Sequence, residues 1–223
     1  MKRTQIKFCG FRTPGDVEKA GRLRVNAIGF ILVPGRKRSV HPRDLPMMVK
    51  LVPSQVLSVG VLLNPTIRQI HEWLSLAPLQ AVQLHGDESP AFCRSVKEQF
   101  QVKIIKTFHV EDRIKSAFPL KEYAPWIDIA LLDSSTGTSR GGTGVAFEWE
   151  RIPPFKEQCS RFQLPCWVAG GLDGENVDTL IRDFAPDGVD VSSGIEKEGQ
   201  KDPEKMNRFV RKVMLSGQTT EGA

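Results

Sequence analysis

The stretch "IKFCGFRTPGDVEKAGRL", residues 6–23, decides the reading of the fold. A short, mostly apolar run, "IKFC", ends at a glycine and leads into Thr13-Pro14. A threonine directly before proline is a helix-start signal. Its oxygen can satisfy an orphan N–H, and proline at the first helical position lacks the N–H that would be orphaned. "DVEKAGRL" then carries mixed apolar and charged faces. The stretch reads as one strand, one turn and one helix.

Outward from it the same unit recurs. Further strand candidates are "AIGFILV" (27–33), "VLSVGVLL" (56–63), "AVQLH" (81–85), "VKIIK" (102–106), "IDIALLD" (127–133), "CWVAG" (166–170) and "GVDVSS" (188–193). Several are continuous rather than alternating, as expected of strands buried on both faces. Asn64-Pro65, Ser89-Pro90 and Asp202-Pro203 repeat the start signal. "IRQIHEWL", "FCRSVKEQF", "VDTLIRDF" and "EKMNRFVRKV" read as helices, and Pro153-Pro154 is expected to interrupt a sixth. Eight strands alternating with helices in 223 residues predict an α/β protein, a single (β/α)8 TIM barrel of eight parallel strands. A doubly wound open sheet is the alternative. No Pro/Gly-rich linker divides the chain, so residues 1–215 are expected to form one domain and the polar stretch 216–223 a frayed tail.

Composition narrows the classes of function. Apolar residues make up 40% and charged residues 26%, ordinary for a globular protein, and the net charge of +5 is spread along the chain. That surplus suits an anionic small substrate better than nucleic acid. Cys9, Cys93, Cys159 and Cys166 show no C-x-x-C spacing and no zinc-like pairing with His41, His71, His85 or His109. They read as free thiols of a reducing compartment. The N-terminus lacks the apolar core of a signal peptide, and no run approaches a membrane span. A cytoplasmic protein is expected, with no nucleic acid or membrane among its partners, acting as a monomer or homodimer.

The polar residues follow their strands: Cys9-Gly10, Asn64, His85-Gly86-Asp87, Asp133, Gly170-Gly171 and Ser192-Ser193-Gly194. In a barrel these positions share the rim that carries chemistry. "RGGTG" (140–144), "AGG" (169–171) and "SSG" (192–194) look built for phosphate, because glycine lets backbone N–H groups approach an anion and serine adds donors. Gly142, Gly144, Gly170, Gly171, Ser192, Ser193 and Gly194 are the candidate phosphate contacts.

"KFCGFR", "VQLHGDE", "LLDS…GGTG", "AGGL…EN" and "VDVSSGIE…KD", in this order, closely resemble the phosphoribosylanthranilate isomerases of tryptophan biosynthesis, from about Lys7 to Val213. The resemblance implies a (β/α)8 barrel and an Amadori rearrangement of N-(5-phosphoribosyl)anthranilate, without metal or organic cofactor. It makes Cys9 the general base and Asp133 the general acid. A thiol serves only as thiolate, so some activation of Cys9 is expected. Arg38, in "GRKR", matches the arginine that would hold the anthranilate carboxylate, with Arg36 as the alternative. His85 and Asp190 are placed with Arg38 among the substrate contacts, His85 with a purely structural role as its alternative.

Lys7 lies two residues before Cys9, on the same strand face, and strand eight, the neighbour of strand one, carries Asp190. A buried Lys7–Asp190 pair beneath the reaction centre is therefore expected. Cys93, Cys159 and Cys166 are read as structural, and Trp149 as packing. Phe11, where a smaller aliphatic is common, and the individual loop "STGTSR" depart from the family pattern. Cys9 speaks against the related bifunctional barrel isomerases, which use aspartate there. Another phosphosugar isomerase or epimerase on the same barrel is the alternative enzyme. A silent phosphate-binding protein would lack Cys9 or Asp133.

Overall fold

The computed structural model describes residues 3–110, 118–133 and 149–216. Its strands are β1 (Gln5–Cys9), β2 (Ala27–Ile31), β3 (Leu57–Leu62), β4 (Ala81–Leu84), β5 (Lys103–His109), β6 (Ile129–Asp133), β7 (Cys166–Ala169) and β8 (Gly188–Val191). They close in sequence order into one barrel, and each adjacent pair is parallel. The ring shuts where β1 meets β8, with Lys7 opposite Asp190. The open-sheet alternative is thereby excluded.

Strand parity sorts the side chains into two cores, since successive residues point to opposite faces. Ala27, Val59, Ala81, Ile105, Ile129, Leu131, Trp167 and Ala169 pack together inside the barrel. Their neighbours Ile6, Phe8, Ile28, Val82, Ile104, Leu132 and Val168 join the layer between strands and helices. Both faces are apolar, which explains the unbroken hydrophobic runs in the sequence.

The helices are α1 (Pro14–Gly21), α2 (Leu45–Lys50), α3 (Ile67–Leu76), α4 (Pro90–Gln99), α5 (Leu120–Tyr123), α6 (Ile152–Arg161), α7 (Val177–Phe184) and α8 (Pro203–Ser216). Thr13 accepts from the Asp16 N–H, Ser89 from that of Phe92 and Asp202 from that of Lys205, so three expected start signals operate. The fourth lies elsewhere. Thr66, not Asn64, caps α3, in a reciprocal box with Gln69. Asn64 instead takes a positive φ of 45°, and its side chain accepts the Asp87 N–H at 2.7 Å. Pro153-Pro154 does not interrupt α6. Both prolines sit in its first turn, where a missing N–H costs nothing. Ser216 belongs to α8, and 217–223 lie outside the described residues.

Two polar networks tie loops at the C-terminal rim. Lys106, on an outward position of β5, donates to the Gly86 carbonyl at 2.6 Å, the Thr107 carbonyl at 3.0 Å and Glu88 Oε2 at 2.9 Å. Glu88 in turn accepts the N–H groups of Asn64 at 2.9 Å and Gly86 at 3.0 Å. Across the rim, a hairpin of β9 (Glu196–Lys197) and β10 (Gln200–Lys201) follows β8. Glu196 takes a two-point grip from Arg38, with Nε to Oε1 at 2.8 Å and Nη2 to Oε2 at 2.7 Å, and a third bond from Lys201 at 2.8 Å. Lys201 also donates to the Ser192 carbonyl at 3.0 Å.

Lys106→Met strands the buried Glu88 carboxylate without its cation. We expect a loss of about 3–5 kcal/mol in urea unfolding, partly recovered by adding Glu88→Gln. Arg38 and Lys201 outweigh burial and hold Glu196 down at about 2, against an ordinary 4.5. Because the folded value is depressed, the stabilisation is complete above the unfolded value and fades as pH falls from about 4.5 toward 2. Glu196→Gln should therefore flatten the dependence of the urea midpoint on pH between pH 5 and 3.5 relative to the parent chain.

Candidate active site

Parity that fills the barrel with aliphatic side chains delivers polar ones at its top. On β6, Ile129 and Leu131 are inside, so Asp133 follows them inward at the strand's end. On β5, Ile105 is inside and Thr107 and His109 share its face. On β1 the inward positions are Lys7 and Cys9, and on β8 Asp190.

Cys9, Asp133, His85, His109, Arg36, Arg38, Asp190, Gly170, Gly171, Ser192 and Ser193 line one cleft of about 720 Å³ at the C-terminal end of the barrel. The candidate residues are thus brought together, with three exceptions. Gly194 lies beside the cleft, in a depression shared with Gly171, Ser193, Lys205 and Arg208. Gly142 and Gly144 lie outside the described residues. A larger cavity, about 940 Å³, opens at the opposite end among Gln5, Asn26, Gln80 and Lys103 and holds no comparable acid–base set.

Beneath the cleft, Lys7 Nζ lies 2.7 Å from Asp190 Oδ2, with Lys7 fully buried, so the expected pair forms. Asp190 holds the lysine cation above its ordinary value despite burial. Asp190 Oδ1 has no hydrogen-bond partner among the described residues. The room for this pair comes from Gly29 on β2. A Cβ there would lie 2.9 Å from Cys9 Sγ and 3.2 Å from Lys7 Nζ.

The expected activation of Cys9 is not the resting condition. Burial pushes the thiol up and outweighs Lys7, which pulls it down. Gly10 fixes how the strand leaves Cys9. Its φ is +81°, and a Cβ would come within 2.8 Å of Arg38 Cδ and 2.9 Å of Ser192 Oγ. Cysteine before glycine therefore places a thiol where three loop ends converge. The other cysteines are also free and buried. Burial raises Cys93 to about 11. Trp149 is buried against Phe184.

Across the cleft, His85 Nε2 is 3.8 Å from Asp133 Oδ2. Desolvation lowers the His85 value, against the pull of Asp133. Its Nδ1 meets Gln83 Nε2 at 3.3 Å and Thr107 Oγ1 at 3.2 Å. His109 Nε2 lies 2.8 Å from the His85 carbonyl. The Nε–Nη2 edge of Arg38 is occupied by Glu196, so a ligand carboxylate would meet the remaining side of the guanidinium.

The sequence reading missed Gly29, His109 and the hold of Glu196 on Arg38. Parity signals the first two: a glycine on the inward register, and a histidine two residues past Thr107. Glu196 pairs with Arg38 across 158 positions, which no local pattern reveals.

Residues 6–212 match the family model for N-(5'-phosphoribosyl)anthranilate (PRA) isomerase. The chain is 36% identical to the enzyme of that name from Geobacillus thermodenitrificans over 214 residues, covering 96% of this chain and 95% of the relative. It is 35% identical to that of Brevibacillus brevis over 210 residues, covering 94% and 93%. The crystal structure of phosphoribosyl anthranilate isomerase from Thermotoga maritima superposes with a TM-score of 0.81 at 29% identity, covering 95% of this chain and 98% of that one. A second structure of such an isomerase, in complex with reduced 1-(o-carboxyphenylamino)-1-deoxyribulose 5-phosphate, gives a TM-score of 0.77 at 28% identity with the same coverage. From the strand order, the rim residues and these likenesses together, the chain belongs to the N-(5'-phosphoribosyl)anthranilate isomerase family.

Proposed function

We infer that the chain catalyses the Amadori rearrangement of N-(5-phosphoribosyl)anthranilate to 1-(2-carboxyphenylamino)-1-deoxyribulose 5-phosphate, with Asp133 as acid and Cys9 as base. The observation that carries this reading is the shared cleft, with both groups beside the glycine and serine ends of β7 and β8. Asp133 protonates the furanose ring oxygen, and the ring opens to an iminium. Cys9, as thiolate, takes the proton from C2 and leaves an enolamine, which tautomerises to the ketone. C1 is reduced as C2 is oxidised, so the reaction balances without an external oxidant.

Lys7 serves the base. Its buried ammonium faces the sulfur and favours the thiolate, while Asp190 keeps the ammonium charged. Oδ1 of Asp190 is the acceptor for a sugar hydroxyl. Gly170, Gly171, Ser192 and Ser193 take the phosphate, with Gly194 shaping that loop. Gly142 and Gly144 belong to the same assignment. Arg38 meets the anthranilate carboxylate, and His85 supports Asp133 across the 3.8 Å gap.

No helix among the described residues is long and apolar enough to cross a membrane, in keeping with a cytoplasmic biosynthetic role.

Cys9→Ala and Asp133→Asn should each keep the parent circular dichroism spectrum and lose roughly 10²- to 10⁴-fold in kcat. Neither should restore growth to a tryptophan auxotroph lacking this isomerase, whereas the parent chain should. Near-normal turnover in either variant removes that residue from the mechanism. Arg38→Met should raise KM for the phosphoribosylanthranilate well above the effect of Arg36→Met. The reverse order moves the carboxylate contact to Arg36.

A further inference from the structure

His109 has no part in the chemistry above, yet it stands at the rim beside two groups that do. His109 and Asp133 are direct register partners on β5 and β6. The rings of His85 and His109 meet edge to face, with centroids 4.8 Å apart. One ligand-capable atom from each of His85, His109 and Asp133 falls within 4.8 Å of the other two.

We propose that His85, His109 and Asp133 form a facial site for a borderline divalent cation, zinc above all, at the mouth of the barrel. The ion there would occupy the cleft and inhibit the enzyme reversibly.

The nitrogens are arranged for this. A histidine that binds a metal generally offers its other ring nitrogen to a carbonyl or hydroxyl, which fixes the ring. His109 Nε2 lies against the His85 carbonyl at 2.8 Å, which leaves Nδ1 as its donor atom. The Nδ1 of His85 lies against Thr107 Oγ1 at 3.2 Å, which leaves Nε2, on the side of Asp133. Two imidazoles and one carboxylate favour zinc, cobalt or nickel over magnesium or calcium, which prefer all-oxygen shells. Bonds near 2.0–2.1 Å put tetrahedral ligand atoms about 3.3 Å apart. The three ligand atoms, within 4.8 Å of one another, draw together by up to about 1.5 Å on binding. All three side chains are only partly buried, so an ion can reach them from the cleft.

An ion on Asp133 takes its carboxylate away from proton transfer and competes with the sugar for space. This inhibitory consequence rests on reading Asp133 as the acid; the binding itself does not.

The test uses untagged full-length protein and cobalt(II) as a spectroscopic probe, with zinc in competition. Parent protein should bind one cobalt with visible d–d bands, and zinc should displace it. Zinc should inhibit turnover competitively with substrate, and chelation should reverse this. His109→Gln and His109→Asn each retain an amide donor and should keep zinc-free turnover. Both should weaken metal binding at least 10- to 100-fold and lose the inhibition in parallel. Cys9→Ser should bind cobalt as the parent does.

Equal cobalt titrations for parent and both His109 variants overturn the proposal, as does an absence of binding to the parent. A near-ultraviolet sulfur-to-cobalt band that vanishes in Cys9→Ser also overturns it, by placing the ion on the thiolate. Metal-saturated protein with full turnover leaves the binding site standing but overturns the inhibition and, with it, the acid role of Asp133, so the binding and the functional reading fail separately.

Discussion

The barrel closes over a charge. Lys7 and Asp190 meet at 2.7 Å between the first and last strands, in an interior shared with aliphatic side chains, Trp167 and the buried polar pair Gln83 and Thr107. Removing two ions from water is costly, and their mutual attraction alone rarely repays it. The pair therefore adds less to stability than a well-packed apolar replacement of the same size. What it supplies is an oriented dipole whose ammonium end favours a charged sulfur at Cys9 while Asp190 partly opposes it, in a medium where such a field is screened little. Gly29 makes this arrangement possible by leaving β2 without a side chain at that level.

Much of this was legible in the chain. The eight apolar runs coincide with eight strands because burial on both faces removes the polar positions that would blur a strand. Lys7 and Asp190 could be paired from sequence because both interrupt apolar runs on strands that a closed barrel must make neighbours. The helix after β3 was less legible. Asn64-Pro65 and Thr66 both offer start signals, and the structure spends Asn64 on the Asp87 N–H instead. Pro153-Pro154 misled for a related reason: proline breaks a helix interior but suits its first turn.

The site was legible in identity but not in detail. Strand ends on one rim could be named from the order of the units. The two-point grip of Glu196 on Arg38 could not, because it joins loops far apart in the chain. Nor could the resting condition of Cys9. A neighbouring lysine argues for a thiolate and burial against it, and the balance depends on depth, which sequence does not give.

The two rim networks divide the mouth of the barrel into blocks. From its place in β5, Lys106 joins Glu88 in fastening the loops after β3 and β4. Arg38, Glu196 and Lys201 fasten those after β2 and β8, and Gly10 wedges the end of β1 against them. The thiol thus rides on one block, while the carboxyl of residue 133 pairs along β5 with the other. Any shift of one block against the other would alter the gap between proton donor and proton acceptor while leaving each group's own fastenings intact.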